Sequence, residues 1–228
     1  MTPRTTIVLL CVAGGALLLG GRTGGPIDDD DGNPLSNWSA DALMDNITSL
    51  FNQAQDTVQG ATTDVPDDQA TANCAAWINA LGQCEGADYS TCFGNSFTIT
   101  DFSDHPAVLG TWNGMQLSDA MCANAGYGPG CVSTAAGKGQ ITKPTWLRVK
   151  AKLGLPDFSP ASQDQAILEL TAERGAIEAV KAGDVATAAS RCRNEWASLP
   201  GNYAQQGQRS LDQITQWFAA AGGQAVTA

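Results

Sequence analysis

Basic residues are scarce in this 228-residue chain: 12 Lys+Arg stand against 23 Asp+Glu, for a net charge of -11. No stripe of Lys or Arg exists, which excludes nucleic acid as the main partner, because phosphate neutralisation requires clustered cations. Histidine is scarcer still. His105 is the single one, and none of the seven cysteines stands in a C-x-x-C pair, so zinc lacks a ligand set and neither metal nor other cofactor is expected. Also lacking is an uninterrupted apolar run of the ~20 residues that span a bilayer comfortably. The longest, Ile7 to Leu19, is broken by Gly14 and Gly15. What is present is 43% apolar and only 15% charged composition, enough for one ordinary domain with a sizeable core and a short second element.

The acidity belongs to the N-terminal segment. Residues 1–72 hold Arg4 and Arg22 against ten Asp, whereas residues 73–228 hold ten basic against thirteen acidic residues. Arg4 followed by the apolar run matches the charged and hydrophobic regions of an export signal. No small-x-small site follows closely, Thr23 to Gly25 being a loose match, so a cleaved signal peptide and a retained signal-anchor both fit, with retention preferred. Arg4 inside and Asp28 to Asp31 beyond place the rest outside the cytoplasm. The expected location is exported, which in a Gram-negative cell is the periplasm, with a tether to the inner membrane through the N-terminal segment. Export permits disulfides. Cys122 and Cys131 bracket a Gly-rich turn able to bring them together and are the expected pair; the other cysteines cannot be paired from sequence.

Five segments follow. Residues 1–21 are the signal peptide or signal-anchor, and 22–39 an acidic flexible linker with too little apolar surface to offset ordering. Residues 40–60 form an amphipathic stalk helix in which Leu43, Ile47, Leu50, Ala54 and Val58 share a face. That face suits docking on the protein's own domain or self-association with a second copy; the absence of Lys and Arg from the polar face disfavours a membrane surface. Residues 61–69 are a second linker, and 70–228 a compact domain. The domain opens with a helix carrying Ala75, Trp77, Ile78 and Leu81 and ending at Gln83-Cys84-Glu85-Gly86, where Gly86 suits a left-handed cap. A short strand is expected at Phe97 to Thr100, and helices at Pro144–Leu153, Ser159–Lys181, Asp184–Trp196 and Ser210–Ala221. Val185, Ala188, Cys192 and Trp196 form one stripe, which makes Cys192 a core thiol. The fold class is α+β, mostly helical with a small β element.

Glu85 is the leading candidate for chemistry. At a helix C-terminus it meets the negative end of the macrodipole, which disfavours the carboxylate and raises its pKa. A carboxylic acid that stays protonated near neutrality can protonate a glycosidic oxygen. No second acid is an obvious partner, although Asp88, Asp101 and Asp104 follow. Hydrolases usually use two carboxylates, whereas one acid that gives a proton and takes one back suffices when the substrate supplies its own nucleophile. Ser103-Asp104-His105 superficially offers a triad, but such close neighbours read as a turn.

The segments Glu85-Gly86, Tyr89 to Gly94, Asp101 to Pro106, Ser133 to Gly137 with Gln140, Leu153 to Pro160, Ser162-Gln163-Asp164, Glu173-Arg174-Gly175, and Trp196 to Gly201 before Tyr203 resemble, in order and spacing, the lambda-type phage endolysins of glycoside hydrolase family 104. The resemblance runs from Trp77 to about Gly222. It implies a lysozyme-like fold with a cleft between a helical lobe and a β-hairpin lobe. The implied activity is that of a lytic transglycosylase, which cleaves peptidoglycan between N-acetylmuramic acid and N-acetylglucosamine and leaves a 1,6-anhydro end. The implied use is phage or prophage wall degradation in lysis, or in entry as a virion-associated enzyme in a Gram-negative host. Glu85 matches the family's single catalytic acid, and Tyr89, Gln140, Tyr203 and Gln205 match cleft positions that bind the peptidoglycan glycan strand. The pair Lys138-Gly139 stands where the family often has a bulkier one, weakening the grip expected of that lip. Met121 to Cys131 is an insertion that lengthens it, and residues 1–72 have no counterpart. A water-using muramidase relying on Asp101 or Asp104, and a catalytically inactive peptidoglycan-binding protein, are the alternatives.

Overall fold

A computed structural model describes residues 65–202 and 207–226. The export segment, the linker 22–39, the stalk helix 40–60, Tyr203 and Gln205 lie outside the described residues.

The fold is organised around α1 (Asp67–Glu85), which begins inside the stretch read as a linker. Pro66 precedes it, Asp67 and Asp68 complement the positive end of its dipole, and Gly86 stops it with φ 63°. Most of its length is apolar on more than one face: Cys74, Ala76, Trp77, Ile78, Ala80, Leu81 and Cys84 are all buried. Such a helix belongs in the middle of a domain. It packs against α5 (Pro160–Glu173), α6 (Ile177–Lys181) and α8 (Leu211–Ala220). The Trp77 indole nitrogen donates to Thr171 Oγ1 at 3.1 Å, which satisfies both buried polar groups.

Between α1 and α5 lie α2 (Pro106–Leu109), β1 (Met115–Gln116), α3 (Asp119–Asn124), β2 (Val132–Ser133) and α4 (Lys143–Leu153). β1 and β2 pair antiparallel, Met115 opposite Ser133 and Gln116 opposite Val132. The fold is therefore mostly helical with a small β-hairpin, as the sequence predicts. The disulfide Cys122–Cys131 closes the loop between the two strands, while Cys74, Cys84, Cys92 and Cys192 are buried thiols.

Three expectations change. Phe97 to Thr100 forms no strand: the 3-10 turn Phe93–Asn95 folds it back on Ser90 to Cys92, leaving a single bridge, Thr91 to Thr98. The helix expected over Ser159–Lys181 is two helices, because Gly175 adopts φ 66° and the amides of Gly175 and Ala176 turn back to Ala172 and Thr171. α7 (Val185–Cys192) ends short of Trp196, whose ring is nonetheless buried and donates to Gly139 O at 3.0 Å.

The end of the described chain is stitched back onto α1. Asn73, buried, donates to Lys181 O at 2.7 Å and accepts from Gln224 N at 2.8 Å, and Val226 N reaches Gly183 O.

Candidate functional site

Glu85 ends α1 with its side chain buried. Ser198 Oγ donates to its Oε1 at 2.6 Å. Oε2 is enclosed and has no hydrogen-bond partner among the described residues. Burial pushes the carboxyl up to about 8, against lowering influences from the Ser198 hydrogen bond and the Arg209 charge. The sequence attributes a rise to the helix macrodipole; desolvation is the principal cause. The covering groups arrive from the other end of the chain, Ser198 on the turn after α7 and Arg209 just before α8, so no local pattern announces them. At neutral pH Glu85 is thus a carboxylic acid with one oxygen held and the other unpaired among the described residues.

The wall beside it is built around Gly82, one turn earlier on α1. A Cβ at Gly82 would lie 2.9 Å from Lys138 Cγ and Cε, so only glycine lets the lysine stem cross the helix there. Lys138 Nζ then donates to Asn79 Oδ1 at 2.5 Å and to the Tyr89 hydroxyl at 3.2 Å, and lies 4.5 Å from the Tyr89 ring centroid. The Tyr89 hydroxyl itself donates to the buried carboxylate of Asp164, 3.0 and 3.1 Å from its two oxygens. Burial raises Asp164 to about 7, with Lys138 and Tyr89 opposing the rise, and burial raises Tyr89 well above the ordinary phenol range. Tyr89 is half-buried.

Gln140 is buried, with φ 46°, and its amide donates to Thr91 O at 3.0 Å and Gly137 O at 2.9 Å. It ties the lip 137–140 to the segment that carries Tyr89. Gln163 completes this link, accepting from Lys138 N and donating to Tyr89 O and Phe158 O. The structure therefore gathers Glu85, Tyr89 and Gln140 at the end of α1 and along its flank. Ser198, Arg209, Lys138 and Asp164 join them; Ser198 and Asp164 fall inside segments that carry the family resemblance and Lys138 in a departure from it, none with an expected site role, and Arg209 lies outside those segments. Ser198 also stands out as a polar residue inside an otherwise apolar stretch, Trp196-Ala-Ser198-Leu199.

The remaining acids are differently employed. Asp88 caps its own turn, accepting from Ser90 and Thr91, and the Thr91 bond is the first cause of its depressed pKa. Asp101 is exposed and accepts from Ser103 N. Asp104 accepts from Trp146 Nε1 at 2.7 Å and Lys150 Nζ at 2.8 Å. Burial alone would raise it, but these bonds hold it below the usual carboxylate range. His105 caps α2 through Nδ1, which accepts from Ala107 N, and its Nε2 faces Ile141 O at 3.0 Å. Burial lowers it to about 4, so it is a neutral structural imidazole, as the turn reading expects. Among the described residues no cluster of three His, Cys, Asp or Glu is arranged to hold a metal ion, and no helix is long and apolar enough to cross a membrane.

Comparison with known proteins places this arrangement. The Endolysin family profile matches residues 71–225. The chain is 39% identical over 164 residues to the endolysin of Escherichia phage P2, covering 66% of this chain and 93% of that protein. It is 35% identical over 158 residues to the endolysin of Escherichia phage lambda, covering 65% and 90%. Among solved structures, bacteriophage lambda lysozyme complexed with a chitohexasaccharide superposes with a TM-score of 0.57 at 30% identity, over 72% of this chain and all of that one.

Proposed function

Because the chain belongs to the Endolysin family of peptidoglycan-degrading enzymes, we propose that it is a lytic transglycosylase using Glu85 as its one catalytic residue. The observation that carries this reading is the buried Glu85 carboxyl, raised to about 8, with Oε2 unpaired among the described residues. The protonated carboxyl gives its proton to the oxygen linking N-acetylmuramic acid to N-acetylglucosamine, and the C1–O bond breaks as the acetylglucosamine side leaves with a hydroxyl. The carboxylate then takes the proton of the muramic acid 6-hydroxyl while that oxygen bonds to C1. A 1,6-anhydro ring forms, Glu85 is protonated again, and no water enters. The chitohexasaccharide held by the lambda lysozyme supports a β-1,4-linked amino-sugar strand as substrate. Tyr89 offers its ring face, Gln140 shapes the lip, and Tyr203 and Gln205 complete the sugar contacts.

Mass spectrometry of muropeptides released from purified peptidoglycan by the full chain tests this, with Glu85→Gln alongside. Anhydro-muropeptides from the wild type alone are expected. Hydrated reducing ends would make the enzyme a water-using muramidase, and no products from a folded wild type would leave a binding protein. We further propose that residues 1–21 export the enzyme to the periplasm for wall degradation in phage lysis or entry; recovery of the full chain in the cytoplasmic fraction would remove that part.

A further inference from the structure

The first proton transfer leaves a carboxylate on a buried side chain, and a bare buried carboxylate is expensive. Two groups face Glu85 to stabilise it, and they are built as one piece. Ser198 Oγ donates to Oε1 at 2.6 Å. Arg209 N donates to Ser198 O at 2.8 Å, fixing the backbone that carries that hydroxyl. The Arg209 side chain then turns to α1, where Nε donates to Cys84 O at 3.2 Å, and its guanidinium lies 5.9 Å from the Trp217 ring centroid. Cys84 O is one of the carbonyls that a helix C-terminus leaves without an intrahelical partner. Arg209 thus joins the end of α1 to the serine turn and sets a positive charge beside the acid. Among the described residues, Cys84 is the titratable neighbour besides Arg209, and burial pushes its thiol up to about 12.

We propose that Arg209 is a positioning residue for Glu85: its side chain, anchored on Cys84 O at the end of α1 while its backbone amide holds the Ser198 turn, supplies the charge that stabilises the carboxylate formed when the proton is delivered. The inference rests on Glu85 being the proton donor. Arginine suits the task because one side chain holds a directed N–H bond and a charge that does not titrate. Lysine in its place keeps the charge and gives up the fixed geometry of the fork.

The test uses the full chain with Arg209→Gln and Arg209→Lys, reading kcat, KM and the Glu85 titration midpoint. The midpoint comes from carbon-13 carboxyl NMR, assigned by the signal lost in Glu85→Gln. Arg209→Gln should raise the midpoint by roughly one unit and lower kcat about tenfold, with KM little changed. Arg209→Lys should keep the wild-type midpoint and recover most of kcat. An unmoved midpoint in folded Arg209→Gln overturns the proposal. So does Arg209→Lys losing kcat about tenfold or more while Glu85 titrates as in the wild type, and this arm is read against the wild type alone, so it stands even if the glutamine variant does not fold. An active Glu85→Gln protein would instead remove the reading beneath, and is distinguished by that.

Discussion

A carboxyl lifted from 4.5 to about 8 also marks the stability of the molecule. Between those values the folded protein holds a proton that the unfolded chain has released, so the contribution of Glu85 to stability is fully present below about pH 4.5 and is lost as the pH climbs through about 8. Glu85→Gln removes that slope and should be the more stable protein at pH 8, by several kcal/mol at most, at ~1.4 kcal/mol per unit. Urea denaturation of both proteins at pH 4.5 and 8 checks this; the rise of Asp164 is common to both and cancels. Equal pH dependence would mean that Glu85 titrates normally. The position of Glu85 was legible because Gly86 marks where the helix stops, but the reason for its protonation was not, since Ser198 and Cys84's partner Arg209 lie 113 and 125 residues away from the groups they bond. Gly139 shows the same limit. In sequence it reads as a thinned lip, yet a Cβ there would sit 2.7 Å from Ile167 Cγ1 and 3.0 Å from Cδ1. Gly139→Ala should therefore be destabilising by about 1–3 kcal/mol, and less so in an Ile167→Ala background. A double-mutant cycle by denaturant melts checks it, and strict additivity would mean that the two sites do not compete for space.

Elements were read from sequence best where a chemical stop signal coincided with the end of an apolar pattern. α1, α4 and α8 fall within about two residues of their expected bounds, with Gly86 and Gly154 at positive φ and Ser210 with Gln213 forming a capping box. The long helix expected through Glu173-Arg174-Gly175 failed because its periodicity continues while its backbone does not. The small sheet was misplaced for a related reason: two-residue strands carry almost no alternation to detect. Their pairing is instead secured by the Cys122–Cys131 bond across a loop whose tip, Tyr127, is exposed. Removing that bond in a Cys122→Ser/Cys131→Ser protein should lower stability by about 2–3 kcal/mol, the loop-closure value for so short a span. A calorimetric scan beside the wild type reads the change. An unaltered melting temperature would place the hairpin outside the cooperative fold.

For the molecule as a whole, α1 is both the core of the domain and the support of its acid. Asn73 near its start gathers Lys181 and Gln224, and Glu85 closes its end. Asn73→Ala strands a buried carbonyl and a backbone amide, so a loss of about 2–4 kcal/mol is expected. Chemical denaturation followed by tryptophan fluorescence should show one transition moved to lower denaturant; an unchanged midpoint would mean that the stitched end adds nothing to global stability. Asn73 could be seen in the sequence as a polar residue within an apolar helix, but its partners could not, because they are backbone groups more than a hundred residues away. The same stitch fixes how the domain presents itself. Twelve residues of helix, about 18 Å, separate Asn73 from Glu85, and both the entry of the chain at residue 65 and its described end at residue 226 are gathered at the Asn73 pole. A cargo, label or surface attached at residue 65 or residue 226 therefore meets the pole away from the acid, and an enzyme held there faces its insoluble substrate with the reactive end outward.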